Sequence, residues 1–101
     1  MRLIARERGT STVMSTDKIV AKEIRKAASE WLARGRKSFK GDQHMIDTYR
    51  NDAASLRSVA KLVSMGALTA ARDSAARLDT IIRDEIPESF FKLLEIHNIQ
   101  W

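Results

Sequence analysis

The sequence predicts an all-α protein, a compact antiparallel bundle of three main helices plus a short C-terminal helix after Pro87. Apolar residues recur every three or four positions through most of the chain, which is the spacing of one helix face. Alternating runs of β-branched residues, which are typical of strands, are nearly absent. The segments between the periodic stretches are short, and short connections favour antiparallel helix neighbours.

The first two helices are predicted from capping residues and glycines. A Ser-Thr-Asp cap at residues 15–17 begins the first helix, because a short side-chain oxygen accepts a backbone N–H there. Gly35 is the predicted terminator of this helix, in the left-handed conformation. The second helix is predicted to begin near Asp42, whose carboxylate suits a helix N-terminus, and to end at Gly66.

A third and a fourth helix follow on either side of the only proline. The third is predicted from Ala67 or Leu68 through Ile82, where the apolar spacing continues. Pro87 lacks a backbone N–H and disfavours helix in the residue before it, so the third helix cannot pass it. Proline suits the first turn of a new helix, which predicts a short helix from Glu88 to about His97.

The domain organisation is predicted from length and from the start of the periodicity. With 101 residues the chain has room for one domain. Residues 1–13 show no clean period and are predicted to form a flexible basic arm, with residues 14–101 as a single helical domain. Both Met1 and Met14 fit as the start of translation.

Charge is distributed unevenly along the chain. Residues 1–41 contain eleven Lys and Arg against four Asp and Glu, and residues 42–101 contain seven against nine. The net charges of +7 and −2 give the overall +5. This asymmetry indicates either an anionic partner for the first part or electrostatic pairing between the two parts.

The candidate residues for an anionic partner or a nucleic acid lie on the first helix and the following loop. Cations there neutralise phosphates, and an aromatic ring stacks on bases. The alternative is a charged helix end that is favourable to the helix dipole, with Phe39 folded onto the bundle and Trp31 in the core. The candidates are Lys22, Arg25, Lys26, Arg34, Arg36, Lys37, Phe39 and Lys40.

No motif in the sequence indicates catalysis. Asp42, His44 and Asp47 lie close together, but only His44 and Asp47 share a helical face and no second histidine completes a metal site. The chain has no cysteine, which excludes disulfides and thiolate chemistry. We therefore expect a non-enzymatic protein with no cofactor, no metal and no small-molecule substrate.

The segment after Pro87 contains more large apolar residues than a short helix buries. Leftover apolar groups tend to mark a contact surface, and aromatic residues are typical anchors there. The alternative is that the phenylalanines plug the end of the bundle. The predicted partner-binding residues are Phe90, Phe91, Leu94, Ile96, Ile99 and Trp101.

The same region resembles a known family of regulators. Leu78, Ile81-Ile82, Asp84-Glu85-Ile86-Pro87 and the run from Phe90 to Leu94 resemble the helix–proline–helix core of NepR-type anti-sigma factors. The resemblance covers about a fifth of the chain, and the family usually has a second proline where Glu85 stands here. It implies a protein that sequesters a sigma factor until a response regulator releases it.

These observations together predict a small helical protein-binding module. We expect an inhibitor or adaptor of phage or plasmid type, or an anti-sigma-like protein, that occupies a macromolecular partner as a hetero- or homo-oligomer. The alternative is a basic nucleic-acid-binding regulator that uses the N-terminal arm, the first helix and residues 34–41. No apolar run approaches the roughly 20 residues of a membrane span, and a cytoplasmic location is expected.

Overall fold

The computed structural model describes residues 15–101 and contains five helices. They are α1 (Thr16–Ser38), α2 (Gln43–Ser64), α3 (Leu68–Ala76), α4 (Thr80–Arg83) and α5 (Glu88–Ile96). Within residues 15–101 there is no strand, so the all-helical prediction is confirmed. The predicted N-terminal arm, residues 1–13, and Met14 lie outside the described residues.

Helix α1 begins where the sequence predicts and ends later than predicted. The Ser15 side chain accepts a hydrogen bond from the backbone N–H of Lys18 at 3.3 Å, as a cap should. The prediction that Gly35 ends this helix is wrong, because α1 continues to Ser38. Gly35 is a buried interior residue, and a Cβ built on it would lie 2.3 Å from Cγ of Tyr49. The glycine therefore serves close packing between helices.

The turn between α1 and α2 reverses the chain direction. The Asp42 N–H donates to the carbonyl of Phe39 at 2.9 Å, and Gly41 between them has φ +86°. A positive φ at this third position of the turn suits glycine. The Asp42 carboxylate then accepts from the backbone N–H of Met45 at 3.2 Å, which confirms the predicted start of the second helix.

Helices α1 and α2 form an antiparallel pair. Arg57 of α2 donates to the Ser29 hydroxyl of α1 at 3.0 Å, and Tyr49 lies against Gly35. The earlier residue of α2 contacts the later residue of α1, so the two helices run in opposite directions. The pair forms most of the core, and the C-terminal helices close it: α3 packs on α2, and α5 packs on α1.

Gly66 ends α2 as predicted. Its φ is +78°, its N–H donates to Val63 O, and the N–H of Ala67 donates to Leu62 O. These two bonds with a left-handed residue form a Schellman motif, which satisfies the last carbonyls of the helix.

The predicted third helix is divided into two short helices. Asp79 has φ −61° and ψ 150°, whereas a continuous helix requires ψ near −42°. Helix α3 already ends at Ala76, and Asp79 takes the N-cap position of α4 without a side-chain cap hydrogen bond. The break turns Ile82 and Ile86 into the core, where they are 1% and 6% exposed.

Helix α5 follows Pro87 as predicted, with Pro87 in the capping position. Residues from all five helices contribute to one apolar core, and Trp31 belongs to it, as the helical spacing predicts. The largest fully buried side chains are Phe90, Ile24, Leu56, Ile82, Leu93, Leu94, Val59 and Val63.

Candidate binding surfaces

The end of α5 turns the last residues back onto the helix. Asn98 has φ 59°, its N–H donates to Glu95 O at 3.0 Å, and the N–H of Ile99 donates to Leu94 O at 2.9 Å. This is a second Schellman motif, with asparagine in the left-handed position that glycine occupies at the end of α2. The turn packs Ile99 against the core and directs Trp101 toward α5.

Three aromatic rings meet at this turn. The Trp101 ring lies 5.0 Å from that of Phe91 and 6.5 Å from that of Phe90, both in edge-to-face geometry. Phe90 and Phe91 lie 5.6 Å apart, also edge to face. Edge-to-face pairs are worth about 0.5–1.5 kcal/mol beyond their buried area. The tail is therefore held by specific packing.

Arg72 of α3 holds the tail from the other side. Its Nε donates to the carbonyl of Gln100 at 3.0 Å, and its Nη2 donates to the carbonyl of Trp101. The guanidinium also lies over the Trp101 ring, 6.0 Å from the centroid. Asp73 accepts from Nη1 of the same group at 3.0 Å. No local pattern in the sequence marks Arg72, because its tail contacts lie 28 and 29 residues away.

The six predicted partner-binding residues separate into three levels of exposure. Phe90 and Leu94 lie in the core at 0% and 1% and do not reach the surface. Phe91 and Ile99 are half-buried. Ile96 and Trp101 remain 71% and 45% exposed.

A cleft of about 670 Å³ lies between the outer side of α5 and the tail. Phe91, Ile99 and Trp101 line its apolar part, and Glu88 and Glu95 are among its polar residues. Clefts of this size are common binding sites in proteins, and this one combines an apolar part with five polar or charged residues.

The residues predicted to contact an anionic partner also differ in how far they are engaged within the fold. Arg34 donates to Glu85 Oε1 at 2.7 Å and lies 5.1 Å from the Trp31 centroid. The hydrogen bond and the charge of Glu85 raise the pKa of Arg34 above its ordinary value. Phe39 is half-buried, with its ring 5.6 Å from that of Tyr49. The other six are exposed: Lys22, Arg25, Lys26, Arg36, Lys37 and Lys40.

A polar group is enclosed where α1 meets α2. Trp31 stacks on Tyr49 at 4.6 Å, and its buried indole N–H makes no hydrogen bond of ordinary geometry within the described structure. Burial raises the pKa of the nearby Asp52 carboxyl, the indole N–H opposes this effect, and the charge of Asp79 adds to it. The carboxylate of Asp52 is thus held in an environment that disfavours its charge.

The two carboxylates of the candidate metal site, Asp42 and Asp47, are engaged in local hydrogen bonds. The Asp42 carboxylate caps α2, and Asp47 Oδ1 accepts from Gln43 at 2.8 Å and from Arg50 at 2.7 Å. In the described part of the chain no three His, Asp or Glu side chains are grouped as metal ligands would be.

Comparisons with known proteins add no assignment. No family model, no curated protein and no solved structure matches the chain. The resemblance of residues 78–94 to anti-sigma factors therefore stays a prediction. No helix among residues 15–101 has the length and hydropathy of a membrane span.

Proposed function

We propose that this chain is a small non-enzymatic module that binds a protein partner through its C-terminal surface, acting as an inhibitor or adaptor in the cytoplasm. We define the C-terminal surface as Phe91, Ile96, Ile99 and Trp101 with the adjoining cleft. The scaffold in this proposal is the compact antiparallel bundle that the sequence predicts, with the helices after Gly66 presenting the surface.

The exposure of Ile96 and Trp101 carries the proposal. Trp101 is 45% exposed beside the half-buried Phe91, and Ile96, about 140° round α5 from Phe91, is 71% exposed, although the fold has an apolar core close by. Tryptophan is enriched among residues that dominate binding energy at interfaces. The bonds from Arg72 and the turn at Asn98 fix the surface before binding, which reduces the conformational entropy lost on association.

The chemistry of the cleft favours an amphipathic helix as the partner segment. An apolar side chain from such a helix fits against Phe91 and Trp101, as in other complexes where a helix binds in a groove. Glu88 and Glu95 line the cleft together with Lys92, so one basic residue beside the apolar side chain complements the net negative charge.

Capture of partners from a lysate of the encoding organism tests this proposal, with nuclease treatment throughout. The informative variant is Ile96→Asp combined with Trp101→Ser. The matched control is Met65→Asp, since Met65 is 66% exposed but lies at the C-terminal end of α2. A protein that the wild type and the control retain, and that the double variant loses, supports the proposal. Equal capture by all three, or capture that nuclease abolishes, contradicts it.

A further inference from the structure

Six of the seven cations of α1 lie on one side of the helix, and Arg34 is the exception. At 100° per residue, six cationic residues fall within an arc of about 120°. The three acids of the helix, Asp17, Glu23 and Glu30, fall outside this arc. Glu23 instead accepts a hydrogen bond from Ser89 of α5. The six cations are Lys18, Lys22, Arg25, Lys26, Arg36 and Lys37, and all are exposed.

Helix α2 adds cations to the same side. The Arg57–Ser29 hydrogen bond sets the antiparallel register, which places Lys61 opposite Arg25. Arg57 and Lys61 are both exposed and lie one turn apart on α2. The sequence analysis did not identify these two residues, because their position beside α1 depends on the helix pairing. We call the six cations of α1 together with Arg57 and Lys61 the basic face.

The basic face is not neutralised within residues 15–101. The ion pairs found there join Arg34 to Glu85, Arg50 to Asp47 and Arg72 to Asp73, and none includes a residue of the basic face. Like charges three or four residues apart on a helix, such as Lys18, Lys22 and Lys26, are unfavourable without a counter-charge. An anionic partner with many charges in a row supplies one.

We propose that the basic face binds the phosphate backbone of a nucleic-acid duplex. From Lys18 to Lys37 the face extends about 29 Å along the helix axis, which matches about eight base pairs of duplex. The contacts are to phosphates and carry no sequence information.

The composition of the face favours a duplex over other anionic partners. Helices that lie on membranes bury a large apolar face in lipid, whereas the apolar face of α1 is already buried in the core. Protein interfaces are anchored by aromatic residues, but Trp31 of this region is in the core and the half-buried Phe39 packs against Tyr49. Ile19 is the exception on α1, as a large hydrophobic residue 44% exposed.

The basic face is independent of the C-terminal surface. Helix α5 is bound to the other edge of α1, through Ser89 to Glu23, and Arg34 of that edge reaches Glu85 just before α5. The proposal therefore does not depend on the proposed function, and each fails or succeeds by its own experiment.

Fluorescence anisotropy with a mixed-sequence DNA duplex, at several salt concentrations, tests the proposal. For six phosphate contacts the slope of log K against log salt is about −5. The variant Arg25→Gln with Lys61→Gln removes one cation from each helix of the face and should reduce the slope by about 1.8. Arg77→Gln with Lys92→Gln loses the same charge from exposed positions elsewhere and should leave the slope unchanged.

Several results would overturn the inference. They are wild-type binding without salt dependence, no binding even at low salt, and equal losses in the two double variants. Tighter binding to phosphatidylserine vesicles than to the duplex would also contradict it. Ile96→Asp should retain the full affinity for the duplex, and far-UV circular dichroism verifies that each variant is folded.

Discussion

The substitution Gly35→Ala is expected to destabilise the protein, although alanine is the better helix former. A Cβ at this position would lie 2.3 Å from Cγ and 2.7 Å from Cβ of Tyr49. Contacts between carbon atoms are normally about 3.5–4.0 Å. The Cβ of Tyr49 is attached directly to the α2 backbone, so a change of rotamer cannot relieve the contact. Helices α1 and α2 must move apart instead.

Two opposing effects determine the size of the loss. Alanine is about 1 kcal/mol more favourable than glycine in a helix interior. Overpacking a core costs about 1–3 kcal/mol, and a clash with backbone-attached atoms belongs at the upper end. We expect a net loss of about 1–2 kcal/mol, and each kcal/mol lowers the Tm of a domain this size by about 4–8 °C.

Urea unfolding followed by far-UV circular dichroism measures the effect, with Tyr49→Ala completing a double-mutant cycle. Removing the ring takes away the two shortest contacts and leaves only the 2.7 Å contact with the Tyr49 Cβ, so Gly35→Ala should cost about 1 kcal/mol less in the Tyr49→Ala background without becoming neutral. The control Ala33→Gly, at an exposed position of α1, should lose about 1 kcal/mol from helix propensity alone. If Gly35→Ala is as stable as the wild type, or costs the same in both backgrounds, the packing explanation is wrong.

Three further predictions concern a charge, a turn and the tail. The folded-state pKa of Asp52 is raised, so the folded protein holds its proton more tightly and stability falls as pH rises from the ordinary Asp pKa through the raised one. Asp52→Asn should therefore be more stable than the wild type at neutral pH in urea unfolding, and lose this gain in acid. Gly41→Ala should destabilise by about 1 kcal/mol because φ is +86°, and Gly41→Asn by less, in the same assay. Arg72→Gln releases the tail, and should increase acrylamide quenching of Trp101 fluorescence without unfolding the helices.

The predictions from sequence are correct where a local interaction decides the structure. The caps at Ser15 and Asp42 and the left-handed end at Gly66 each depend on bonds within about five residues. Pro87 acts through its own ring, and α5 begins directly after it. The residues that make these contacts are neighbours in the sequence, so the caps and helix ends can be predicted without knowing how the helices pack.

Gly35 shows why local signals fail elsewhere. A glycine that ends a helix and a glycine that admits a neighbouring ring are identical in sequence. What distinguishes them is Tyr49, 14 positions later, and its location is known only when α1 and α2 are paired. The break before α4 is different, because the apolar spacing continues across it and Asp79 makes no side-chain cap hydrogen bond there.

The candidate surfaces were predictable in composition and not in detail. Apolar excess after Pro87 is visible in sequence, yet adjacent residues Phe90 and Phe91 differ in burial because the helix rotates about 100° between them. Contacts between distant segments decide the rest. The clamp from Arg72 and the alignment of Lys61 with α1 both depend on helix packing.

The charge asymmetry of the sequence left two explanations, and the ion pairs within residues 15–101 bear on one of them. If the basic first part were neutralised by the acidic second part, many cations of α1 would lie against carboxylates of α3, α4 and α5. Among residues 15–101 only Arg34, paired with Glu85, forms such a bridge. Exposed ion pairs contribute little in any case. The remaining positive charge of α1 faces solvent together with that of α2, which favours an anionic partner outside the chain.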